Sequence, residues 1–386
     1  MGCGTSGDPQ SDQVSTDEGA DMLDIFLRLE KEIYQEERAP PAPALSHGII
    51  RLNRAVAALE GAQMDMYNVN EELFIPGSVS DVRAGKEDAN DAIRRAIQEL
   101  GLNRKPELSA EHEEFIANLN RRGIMETRIN WLMDRREEAQ EEVDRLTDRV
   151  QHLQALYEHH EAILRNFENE GESDESKELG RLRAYRDALY NGELSWREAT
   201  KMVEAASALA RAASSDWDQA KDTQDEEIRW KLGVEARKGL QEATLCIQSA
   251  QAALSGVQFP HCTPRELATV LQALDYLFTD MQIPERYNHA SHLYNSFHKR
   301  ASALHVWLKK VMEETIHKDV LEVDKRYGQL ATKVTNQRIN LLRQLAGLGM
   351  VNHFNRERTQ QESQSSYSQK KSAAVRNDDL FVISNR

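Results

Sequence analysis

The sequence predicts an all-α protein: an elongated bundle of three long antiparallel, coiled-coil-like helices, with shorter N-terminal helices and disordered termini. Three observations lead there. Charged residues make up 29% of the 386, aromatics only 6%, and prolines number nine, the balance of a helix-rich chain without a thick aromatic core. Apolar residues recur in steps of three and four over long distances. Three helical stretches each run on the order of 60 residues.

Residues 1–14 are small, polar and acidic and are expected to form a disordered tether. Ser15 and Glu18 have capping-box spacing, and Met22, Leu23, Phe26, Leu29 and Ile33 then share a helical face. Pro40, Pro41 and Pro43 stop that helix, since proline cannot donate to the helical ladder. A second helix is expected from Ser46 to Leu73, lined by Ile49, Leu52, Val56, Leu59 and Met66, and a short one over 86–101 with Ile93, Ile97 and Leu100. Together 15–105 make an N-terminal helical segment.

Three long stretches follow within 109–348. The first runs from a cap at Ser109 to Asn169, the second from a capping box at Ser195 and Glu198 to Ser255, and the third from Pro284 to Leu348. Each is on the order of 60 residues, ~90 Å if continuous at 1.5 Å per residue. Helices of that length need bundle or coiled-coil packing.

The first stretch carries the seam Ile129, Leu132, Arg136, Ala139, Val143, Leu146, Val150, Leu153, Tyr157, His160, Leu164 and Phe167. The third carries Ile316, Val320, Val323, Tyr327, Leu330, Val334, Gln337 and Leu341. The second is rich in alanine from Ala205 to Ala220, which permits close helix approach, and is interrupted at Gln224 and Gly233. A short helix ending near Gly192 precedes it. Thr263-Pro264-Arg265-Glu266 is a further capping box, with proline at the first helical position. Residues 349–386 turn polar and are expected to be a disordered tail.

The N-terminus carries the clearest functional signal. In Met1-Gly2-Cys3-Gly4-Thr5-Ser6, Gly2 followed by Ser6 at the sixth position fits N-myristoylation. Cys3 is placed for a palmitoyl chain. This end resembles the Gly-Cys termini of dually acylated signalling proteins, such as G-protein α subunits and many Src-type kinases. The resemblance covers six residues and implies a lipid anchor, with nothing about the fold. One myristoyl chain partitions with a constant of roughly 10⁴ M⁻¹, so stable anchoring needs a second signal. A basic patch does not supply it locally: the first cation is Arg28, preceded by Asp8, Asp12, Asp17, Glu18, Asp21 and Asp24. Cys3 is therefore the expected second site.

No apolar run reaches the ~20 residues of a membrane span, and a basic start with an apolar core, the pattern of a signal peptide, is missing. Three cysteines, Cys3, Cys246 and Cys262, are too few and too scattered for a disulfide framework or a zinc site. The expected location is the cytoplasmic side of a membrane, foremost the plasma membrane, with endomembrane or ciliary membrane as alternatives.

The net charge of −15 is uneven. Residues 285–386 hold 17 Lys+Arg and 10 Asp+Glu, net +7, against −22 for the remainder. Lys299, Arg300, Lys309, Lys310, Lys318, Lys325, Arg326 and Lys333 make a candidate basic face for lipid, for an acidic partner or for the acidic helices of the same chain.

No catalytic constellation is legible, and neither a cofactor nor a metal is expected. Phosphate loop, dinucleotide fingerprint, His-Glu-x-x-His and Cys-x-x-Cys are all missing. His289, His292, His298, His305 and His317 lie along the third stretch, and Glu314 with His317 matches half of a di-iron helix pair, but no second copy exists. The acidity and the want of clustered arginines and stacking aromatics exclude nucleic acid.

Two functional readings follow. The first is a non-enzymatic, lipid-anchored scaffold, binding proteins through its bundle and tail. The second is a membrane-shaping dimer, because three long helices in sequence look like the layout of BAR-type domains. An enzyme on an all-α fold without a motif stands third.

Overall fold

The computed structural model describes residues 10–72, 89–102, 111–165 and 174–345. The protein is all-α, and no strand occurs among the described residues. In chain order the helices are α1 (Gln10–Glu37), α2 (Pro41–Glu72), α3 (Ala89–Glu99), α4 (Glu113–Arg165), α5 (Asp174–Asp222), α6 (Glu226–Ala253), α7 (Pro264–Asp275), α8 (Leu277–Asp280), α9 (Pro284–Val311) and α10 (His317–Leu345). One π-helical turn, Met312–Ile316, joins the last two.

Several expected boundaries move, each for a local reason. Helix α1 starts ahead of Ser15, and Pro41 opens α2 instead of belonging to a linker. Proline is well suited to a first helical turn, where its missing N–H is an orphan anyway. Ser195 is no cap: it lies inside α5, its hydroxyl donating back to the Asn191 carbonyl at 3.4 Å. The second stretch is instead two helices, because the Asp225 carboxylate accepts from the Glu227 and Ile228 N–H groups and starts α6 afresh. The Thr263–Glu266 capping box forms as expected, with Pro264 in the first turn. Ser109 lies outside the described residues.

The chain divides into two compact units. One comprises residues Met1–Pro40, Val150–Ala188 and Asp319–Arg386; the other comprises Pro41–Arg149 and Leu189–Lys318.

The larger unit is built on heptad-spaced seams. On α5, Ala199, Val203, Ala206, Ala210, Ala213, Trp217 and Ala220 are all buried. On α6 the seam is Ala236, Leu240, Ala243, Ile247, Ala250 and Leu254, and on α9 it is Tyr287, Ala290, Tyr294, Phe297, Ala301, Leu304 and Leu308. Small residues on α5 oppose large ones elsewhere, so the layers interdigitate. Trp217 is stacked between Tyr287 at 4.4 Å and Tyr294 at 5.3 Å. Helices α5 and α9 are also zipped by Ser207 to Ser302 at 2.8 Å, Ser214 to Asn295 at 3.1 Å and Lys221 to Asn288 at 3.0 Å. Buried Asn120 of α4 donates to the Leu274 and Asp275 carbonyls at 2.7 and 3.1 Å, satisfying the end of α7. It accepts from buried Arg237 of α6 at 2.6 Å.

In the smaller unit, Leu23, Phe26, Leu29 and Ile33 of α1 pack with Leu153, Leu156, Ile163 and Leu164 of α4 and Ile339 and Leu342 of α10. The seam of α10 keeps Val320, Val323, Tyr327 and Val334 buried as expected and otherwise departs from expectation beyond Tyr327. Ala331, Thr335, Ile339 and Leu342 turn inward, while Gln337 and Leu341 are exposed. Val320, Ala331 and Leu342 recur every eleven residues, which follows the helical pitch more closely than a seven-residue repeat does.

Candidate functional site

Gly2 and Cys3 lie outside the described residues. The eight candidate basic residues are all exposed, four on α9 and four on α10. Five have a carboxylate of the described residues within 4.0 Å. These are Arg300 with Glu266 at 2.7 Å, Lys309 with Glu313 at 3.9 Å, Lys310 with Glu314 at 3.9 Å, Arg326 with Glu322 at 2.5 Å and Lys333 with Glu175 at 2.5 Å. Exposed pairs of this kind are worth about 0–1 kcal/mol, so they leave the side chains available to a stronger anionic surface.

The histidines of the third stretch do not converge. His289 and His292 are exposed, and His317 lies 3.6 Å from Glu193. Among the described residues no group of three or more His, Cys, Asp or Glu is placed to hold a metal ion. A hollow of about 290 Å³ is bordered by Asp280, Glu285, Arg286 and His289. Arg286 binds Asp280 at 2.7 Å and also Glu113. Burial raises the Asp280 carboxyl to about 6, against the pull of Arg286.

The densest polar geometry lies in the smaller unit, on residues that sequence reasoning had not joined. Two α1 carboxylates, Glu30 and Glu37, are buried. Glu30 Oε1 meets His160 Nε2 at 2.9 Å, and its other oxygen accepts from the Thr335 hydroxyl at 3.2 Å. Phe26 stacks on the His160 ring at 4.8 Å.

Glu37 is held from three helices. It accepts from the Tyr157 hydroxyl of α4 and, at 2.8 Å, from the Tyr327 hydroxyl of α10. Arg183 of α5 reaches it at 2.6 Å, and Arg186 of α5 lies 4.0 Å away. Each guanidinium also covers a phenol ring, Arg183 over Tyr157 at 4.6 Å and Arg186 over Tyr327 at 4.2 Å. Burial and then the Glu37 charge push both phenols well above the ordinary tyrosine range. Burial opposes the charge on Arg183, yet the nearby Glu37 carboxylate leaves that guanidinium more firmly protonated than usual. The two phenols and the Arg183 guanidinium therefore keep one protonation state near neutral pH.

A signal for this cluster was present in the sequence. Leu23, Phe26, Glu30, Ile33 and Glu37 follow steps of three and four, so both glutamates occupy seam positions. Tyr157, His160 and Tyr327 are polar members of the seams opposite. Arg183 and Arg186 had no comparable signal, since α5 was expected to begin later.

Comparison with protein-family models, with curated proteins and with solved structures finds no match to the chain.

Proposed function

We propose that the chain is a non-enzymatic, lipid-anchored helical scaffold on the cytoplasmic face of a membrane. Residues 1–14 carry the anchor, three long antiparallel coiled-coil-like stretches within 109–348 form the body, and the bundle and the 349–386 tail hold protein partners. The observation that carries this is the Gly2-Cys3 terminus, whose spacing suits a myristoyl and a palmitoyl chain together. Supporting it, the buried carboxylates Glu30 and Glu37 are each matched to side chains of neighbouring helices. No helix among the described residues is long and apolar enough to cross a membrane, so an anchored chain needs another attachment.

Membrane flotation of wild type, Gly2→Ala and Cys3→Ser tests the reading. Wild type floats and both variants stay soluble if dual acylation is the anchor. A Gly2→Ala chain that still floats sinks the acyl-anchor reading and moves the helices to the front as the lipid-binding element.

The membrane-shaping dimer is the second reading, favoured by the exposure of Lys299, Lys309, Lys310, Lys318 and Lys325. Under it, Lys309→Glu with Lys310→Glu weakens binding to phosphatidylserine vesicles. Unchanged binding removes these lysines as its lipid contacts.

A further inference from the structure

Helix α1 presents the seam Leu23, Phe26, Glu30, Ile33, Glu37, every member of it buried. Local physics disfavours the last of these. Glu37 ends the helix, where the dipole is negative, and the last turn of α1 carries no basic side chain. The opposing helices reverse that preference with Tyr157, Tyr327, Arg183 and Arg186 around one carboxylate. Along the same groove His160 and Thr335 receive Glu30.

Buried ionic groups add little net stability over an apolar filling of the same volume, yet breaking one partner is strongly destabilising. Such a groove discriminates between helices more than it binds them tightly. Apolar anchors at Leu23, Phe26 and Ile33, with glutamates seven residues apart at Glu30 and Glu37, form a helix-in-groove recognition pattern. We propose that the groove formed by α4 (150–165), α5 (174–188) and α10 is a binding site for an acidic amphipathic helix of a partner protein, and that α1 is its internal occupant. This deepens the scaffold reading and rests on it: α1 is the first helix after the Gly2-Cys3 end, so a pull on the anchored terminus is felt there first.

The probe is a fluorescent peptide of residues 18–40, titrated into the full chain in lipid-free buffer. The chains compared are wild type, Glu30→Gln with Glu37→Gln, and Ile33→Ala. Both variants weaken the internal occupant and leave the groove intact, so each binds the native peptide at least tenfold more tightly than wild type. A peptide with both glutamates replaced by glutamine loses at least tenfold on the double-variant chain. Amide exchange rises across 21–37 in the variants and stays low across 320–342.

Equal affinity for all three chains overturns the proposal, as does equal binding of the glutamine peptide. Global unfolding of both variants overturns it too, because α1 is then a required part of the fold and not a displaceable occupant. No lipid is present, so this result and the flotation result fail independently.

Discussion

The Tyr287 hydroxyl of α9 donates to the Trp217 carbonyl of α5, and the Trp217 indole N–H donates back to the Tyr287 carbonyl at 3.4 Å. The two rings lie 4.4 Å apart and 16° from parallel. Two helices are thus joined by a buried pair that satisfies its own polar groups, Trp217 lying in an α5 seam otherwise made of alanine and Val203. Trp217→Ala is expected to cost about 3–5 kcal/mol, because small neighbours cannot collapse into the gap. Tyr287→Phe keeps the volume and loses one hydrogen bond to a carbonyl still bonded within α5, at about 0.5–1.5 kcal/mol. Urea unfolding of both variants checks the order; a Tyr287→Phe loss equal to that of Trp217→Ala would show that the hydrogen bond, not the ring volume, joins the helices.

The alanine seam also sets how closely α5 and α6 approach. A Cβ added at Gly239 would lie 3.2 Å from the Ala213 Cβ and 3.4 Å from the Leu209 carbonyl oxygen. Neither atom can rotate away, so the helices themselves must part. At Gly233 the obstacle is the Met281 thioether at 2.5 Å, the mobile end of a flexible side chain. Alanine gains about 1 kcal/mol of helix propensity at either position. Gly239→Ala is therefore expected to destabilise by about 1–2 kcal/mol net, and Gly233→Ala to change stability by under about 0.5 kcal/mol. Thermal melts of the two single variants decide it. Equal destabilisation would mean that Met281 is as fixed as the α5 backbone.

How much of this was legible in the sequence differs by element. The Ala205–Ala220 run announced close packing, and the Thr263–Glu266 box announced the start of α7, because both signals act within one helix. The interruption expected at Gln224 coincides with the break between α5 and α6, but the Asp225 cap was missed, since a lone aspartate amid charged neighbours resembles solvated surface until its carboxylate is seen on the Glu227 and Ile228 N–H groups. Ser195 misled for the converse reason: a capping box is only a local option, and α5 continues through it because Ala199 and Val203 extend the same buried seam. Glu30 and Glu37 were hidden because their counter-charges come from Arg183 and Arg186, far away in the sequence. The acylation motif remained the only functional signal legible locally.

Cysteine reactivity offers a separate check on packing. Burial pushes the Cys246 thiol up to about 11 and the Cys262 thiol up to about 12. The thiolate is the nucleophile, so neither residue is expected to alkylate in the native chain at pH 7.5. Iodoacetamide labelling read by mass spectrometry should modify both at least a hundredfold faster in urea than in buffer. Rapid native labelling at Cys262 would show that its segment opens locally.

The zipper between α5 and α9 contains one rung without a bond. Between the Ser207–Ser302 and Ser214–Asn295 rungs, helical spacing brings His298 of α9 opposite Arg211 of α5. His298 Nε2 is buried and finds no hydrogen-bond partner among the described residues. Burial, and then the charges of Arg211 and Lys299, hold the imidazole below the ordinary histidine range. The unfolded chain therefore takes up this proton first as the pH falls, and stability is lost progressively below about pH 6.5. Asp280 acts with the opposite sign, since its raised carboxyl is protonated in the folded state before it is in the unfolded one. The His298 contribution is consequently read from a difference between chains. Urea midpoints measured at pH 7.5 and 5.5 should fall less on acidification in His298→Gln than in wild type. Identical pH dependence in the two chains would show that the rung opens far enough for His298 to be hydrated in the folded state.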